Sequence, residues 1–134
     1  MSRRLAREVA LRALFQLESG HVDLGEAFQF ALETTPIEAE LEPFARQLVD
    51  NALEQQEQSD QIIRGKSVDW QIDRLARVDR AILRLALGEL LSETGAPTGV
   101  VINEAVELAN KYSTAESGKF INGILGNVVR SDHA

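Results

Sequence analysis

The chain has 134 residues, a length that suits one folding domain, and its lack of cysteine excludes disulfides, thiolate metal sites and cysteine nucleophiles. The net charge of −7 argues as a sum against nucleic acid, but residues 1–17 carry four Arg and one Glu while residues 18–60 carry eleven acidic residues and one Arg. A basic end on an acidic body directs a polyanion to the first helix and repels it from the middle of the chain.

The first helix is expected from Arg3 to Glu18. Ala6, Val9, Ala10, Ala13, Leu14 and Leu17 form its apolar stripe. At 100° per residue Arg3 and Arg7 fall on one shoulder and Arg12 on the other. Arg4, Glu8, Leu11 and Phe15 fall on the face away from the stripe. A solvated arginine face is the common outcome of such a pattern. However, the helix dipole disfavours cations at an N-terminus, so local helix stability does not explain the crowding of arginines there. Leu11 and Phe15, one turn apart on the polar face, either meet a partner or are covered by another helix of the same chain.

A second helix is expected over Leu24–Glu33, with Asp23 as its N-cap. A third begins near Pro43 and runs to about Gly65, burying Phe44, Leu48, Ala52 and Ile62 or Ile63. A short helix is expected over Gln71–Leu75, with Trp70 just ahead of it. The stretch Asp79–Leu91 is apolar nearly all round and reads as the central helix. The sixth helix, Val100–Tyr112, carries Ile102, Ala105, Val106, Ala109 and Tyr112 at helical spacing. The last, Ala115–Val129, follows a capping box formed by Ser113 and Glu116. Short links make neighbours antiparallel. The expectation is an all-α bundle of six or seven helices, forming one domain over residues 1–134.

Lys119 and Phe120, in the first turns of the last helix, admit two readings. Phe120 is either a core aromatic or a base-stacking platform beside a phosphate-binding lysine, where stacking is worth roughly 1–3 kcal/mol per base. Recognisable catalytic spacings do not occur. The two histidines, His21 and His133, lie apart from any nucleophile or carboxylate constellation. Gly118, Gly123 and Gly126 follow no strand and are no dinucleotide fingerprint. An enzyme, a metal site and a cofactor are not expected. The longest apolar runs fall well short of the about 20 residues of a membrane span, and no apolar stretch follows the N-terminal arginines. The expected location is the cytoplasm.

Three stretches resemble the NusB family: Arg3–Leu17 (RRLAREVALRALFQL), Arg77–Leu90 (RVDRAILRLALGEL) and Pro97–Leu125 (PTGVVINEAVELANKYSTAESGKFINGIL). The third is the most specific, through its INEAVELA and KFINGIL blocks. The resemblance implies an all-helical fold in two small halves. It implies transcription antitermination through the boxA element of nascent ribosomal-RNA transcripts. It also implies a heterodimer with the ribosomal protein NusE, acting within an RNA polymerase complex. By position it implies RNA contacts at Arg3, Arg4, Arg7, Glu116, Lys119 and Phe120. Phe15 and Asp79 match positions that face the protein partner, a role that also accounts for Leu11. Leu5 stands where some relatives carry a further arginine. The same domain resembles the N-terminal domain of ribosomal-RNA cytosine methyltransferases, but without a cofactor domain or a cysteine that activity is not expected. The competing reading is a protein-interaction module or homodimer, with the arginine helix buried against another subunit and no direct RNA binding.

Overall fold

The computed structural model describes residues 2–66, 75–92 and 94–132. Helix α1, Arg3–Glu18, starts at Ser2, whose hydroxyl accepts from the Leu5 amide. It stops before Gly20, whose φ of +81° is the left-handed value that ends many helices. Helix α2, Leu24–Thr34, is capped by Asp23 as expected, with the carboxylate accepting from the Glu26 amide at 2.8 Å. A 3-10 turn at Ala39–Leu41 leads into α3, Glu42–Glu54, which holds Pro43 in its first turn.

The single helix expected from Pro43 to Gly65 is two. Gln55 leaves helical geometry at φ −99° and ψ 9°, and α4 covers Gln56–Lys66. The break falls in the polar run Glu54–Gln58, where no apolar side chain holds a straight helix to the core. It lets Leu48 and Ala52 on α3 and Ile63 on α4 all reach one interior. Helices α5 (Arg77–Leu91), α6 (Thr98–Tyr112) and α7 (Ala115–Asp132) complete the order. The short helix expected over Gln71–Leu75 lies with Trp70 outside the described residues, apart from the buried Leu75. The α7 cap is one residue later than expected: Thr114, not Ser113, accepts from the Ser117 amide, at 2.9 Å.

Helix α1 packs on α2, α3 and α5; α3 crosses α5; α6 packs on α5 and runs along α7. Helices α1–α3 and α5–α7 thus form two groups joined through α3–α5 and α1–α5, and α4 leaves α3 to pack on α5 and α7. This is the expected all-α architecture in two helical halves, without a strand among the described residues. One apolar cluster spans both groups, through Leu14, Phe28, Leu48, Ile63, Leu83, Leu108 and Leu125. Gly88 fixes the α3–α5 crossing. A Cβ there would lie 2.7 Å from the Ala52 backbone, so only glycine permits the approach.

Helix α1 is more central than its stripe implies. Every residue from Ala6 to Leu11 is buried. The stripe accounts for Ala6, Val9 and Ala10, but Arg7, Glu8 and Leu11 are enclosed as well, because α5 and the long side chains of α6 close over the polar side.

Candidate nucleic-acid and partner interface

The three arginines at the start of α1 have different surroundings. Arg3 is exposed, with its guanidinium 4.8 Å from the Phe44 ring centroid on α3. The Arg4 side chain is 54% exposed, and its fork holds both carboxylate oxygens of Glu104 on α6, at 3.0 and 3.1 Å. That hydrogen bond and charge hold the Arg4 pKa above its ordinary value. An exposed pair of this kind adds little stability. A fork that grips a carboxylate also fits a phosphate, so the pair can open for one.

Arg7 differs, and the solvent-facing position expected for it is corrected. It is buried, and its Nη2 donates to Glu89 Oε2 at 2.7 Å. Glu89 is itself buried on α5, so the Arg7 charge is neutralised inside the protein. The Arg7 guanidinium also lies 5.3 Å from the centroid of the same Phe44 ring. Arg7 therefore docks α1 onto α5, and its burial removes it from a surface that RNA can reach.

Glu8 is likewise buried, and accepts from Lys111 Nζ at 2.8 Å and from the Tyr112 hydroxyl. Burial pushes the Glu8 carboxyl up, but the hydrogen bonds from Lys111 and Tyr112, with the charges of Lys111 and Arg12, outweigh it and hold the group below its ordinary 4.5. Tyr112 is pushed up, first by burial and then by the Glu8 carboxylate. These side chains join α1 to α6.

On α7, Glu116 and Lys119 are exposed, while Phe120 is partly buried against the core. Each of the two sequence readings of Phe120 captures part of its position: one side packs inward and the rest meets solvent. Helix α6 lies between this patch and the arginines, bonded to α1 on one side and packed on α7 on the other.

Of the expected partner-facing pair on α1, Leu11 is 2% exposed. Of the two alternatives for it, cover by other helices of the chain is the one that holds, and a place facing a partner is corrected. Phe15 is half-buried, with the Arg77 guanidinium 4.8 Å above its ring. Asp79, two residues along α5, is corrected from a partner-facing place: it is buried and accepts from Ser117 Oγ at 2.8 Å, while its enclosed Oδ1 meets no donor among the described residues. Phe15, Arg77, Asp79 and Ser117 thus lie in a connected series at the N-terminal ends of α5 and α7. Arg77, Ser117 and Glu89 escaped the sequence reading because single basic, hydroxyl and acidic residues on helices carry no spacing signal. Among the described residues no group of side chains could hold a metal ion, and no helix is long and apolar enough to cross a membrane.

The model of the NusB family matches residues 4–130. The chain belongs to the NusB family. The transcription antitermination protein NusB of Symbiobacterium thermophilum is 46% identical, over 97% of this chain and 90% of that protein. The NusB of Bacillus subtilis is 44% identical, over 96% of this chain and 95% of its own. Solved structures agree on the fold. NusB of T. maritima superposes with a TM-score of 0.86 at 37% identity, covering 97% of this chain and 92% of that one. A structure of the antitermination factors NusB and NusE with double-stranded RNA gives a TM-score of 0.86 at 32% identity, covering 96% of each chain.

Proposed function

We propose that this chain is a transcription antitermination factor. It binds the boxA element of nascent ribosomal-RNA transcripts together with the ribosomal protein NusE, joins the RNA polymerase antitermination complex and suppresses premature termination. It acts by binding rather than catalysis, without a cofactor, in the cytoplasm, as one domain over residues 1–134. The observation that carries the reading is the one-sided charge: Arg3 and Arg4 open to solvent at one end of an acidic NusB-family chain.

Arg3 and Arg4 take phosphates, and Lys119 takes a further one. Phe120 offers its solvent side to a base, and the Glu116 carboxylate accepts from base amino groups. Phe15, with Arg77 over its ring, faces NusE, and the buried Asp79 holds the start of α5 to α7 through Ser117 behind that face. Leu11 supports Phe15 from beneath, and Arg7 holds the arginine end of α1 in place.

The test is a titration of labelled single-stranded boxA RNA into the chain, with and without NusE, over a range of salt. NusE is expected to tighten binding and steepen the salt dependence. Arg4→Ala is expected to lower the slope of log K against log salt by about 0.7, the share of one phosphate contact. Salt-insensitive RNA binding, or none with NusE bound, overturns the reading.

A further inference from the structure

We propose that the groove between α6 and α7 is a pocket for one unpaired nucleobase of the bound RNA, read by the carboxamides of Asn103, Asn110 and Asn122; this rests on the RNA-binding reading above. The groove has a volume of about 590 Å³, within the ~300–1,000 Å³ typical of small-ligand sites. Ile102 and Val106 form an apolar wall on which a base can rest, and the three asparagines and Lys119 supply its polar groups. An asparagine offers a donor and an acceptor together, which is what the edge of an unpaired base requires.

Charge selects the occupant. The chain holds 21 acidic residues, yet among the described residues none of them lines this groove, and Lys119 is the one charged side chain that does. The groove is thus compatible with a polyanion where most of the surface is not. Its position fits too. Asn103 precedes Glu104, which grips Arg4 on one flank of α6, and Lys119 stands on the other flank. A strand running from Arg4 to Lys119 crosses the groove.

Two glycines keep it open. Gly99 lies in the first turn of α6, and a Cβ there would meet nothing within 4 Å. Its φ is not left-handed, so neither packing nor backbone requires a poor helix former at that place. Any larger side chain would stand in the groove. At Gly118 a Cβ would lie 2.6 Å from Asn110 Oδ1, so glycine lets that carboxamide lie across the start of α7.

The experiment uses the chain with NusE and three probes: single-stranded boxA RNA, the same RNA with one abasic site placed at each position in turn, and the corresponding duplex. Asn110→Leu is expected to weaken binding of the intact single strand roughly tenfold, the scale of a lost bidentate base contact. It should cause no loss on the abasic RNA that lacks the base read, and leave duplex binding unchanged. Gly99→Leu should reproduce this pattern without lowering the melting temperature, since its side chain enters open space. The proposal is overturned if both variants bind every probe like wild type, or if their loss is equal on every abasic RNA. Wild-type protein that binds no RNA even with NusE would instead overturn the underlying RNA reading.

Discussion

Arg7→Ala separates an RNA ligand from an internal strut. In the folded protein Arg7 and Glu89 are 6% and 4% exposed and joined at 2.7 Å. Truncating Arg7 leaves the Glu89 carboxylate buried without its counter-charge, a change that costs about 3–5 kcal/mol. At ~2.1 cal/mol/K of unfolding entropy per residue, a chain of 134 residues should melt about 10–18 °C lower. The double substitution Arg7→Met with Glu89→Met removes both charges at similar volume and should recover most of that loss, because an apolar pair needs no desolvation of ions. Melting followed by far-ultraviolet circular dichroism on Arg7→Met, Glu89→Met and the double gives the coupling directly. The double variant should also keep the wild-type salt slope for RNA, since no surface charge has changed. If Arg7→Ala melts like wild type and its salt slope falls by about 0.7, Arg7 contacts phosphate and the strut argument fails.

Two further outcomes follow from the packing and the charges. Gly88→Ala places a methyl against the Ala52 backbone at 2.7 Å and should destabilise by about 1–3 kcal/mol, checked by urea unfolding; an unchanged midpoint would mean that α3 and α5 separate freely. Glu8, held below its ordinary value of 4.5, contributes stability that is present above that pH and lost as pH falls through the lower folded value; Tyr112→Phe removes one of its donors and should move acid unfolding to higher pH. Tyr112 is the only tyrosine, so its phenolate absorbance reports the same contact from the alkaline side. It should titrate above 10.0 in wild type and lower in Glu8→Gln, while the stability linked to its raised value is present below pH 10.0 and lost above it.

The helices were legible because apolar periodicity and caps are local. Asp23, Pro43 and the Leu83–Leu87 stretch each announce their structure within a turn or two. The α3–α4 break was hidden because periodicity does not register a bend in a run such as Glu54–Gln58, where every residue is polar. The arginine site was half legible for a different reason. A helical wheel sorts residues into apolar and polar, but it cannot tell a solvated charge from one paired inside. Arg7 finds Glu89 82 positions away, and Arg4 finds Glu104 100 positions away. In the sequence both arginines look alike; only the depth of the carboxylate opposite distinguishes them.

That difference bears on how the chain can bind RNA. Because α1 is enclosed from Ala6 to Leu11, its exposed basic part shrinks to one turn, Arg3–Leu5. Leu5 adds no charge, so α1 offers two phosphate contacts, and Lys119 beyond α6 adds a third. At a slope of about 0.7 per contact on a single strand, the chain alone should show a total near 2. Burying α1 gives the arginine end a rigid base but limits how many cations it can present. On the proposed reading, such a protein gains affinity from a basic partner, which extends the cationic surface without loosening α1 from the core.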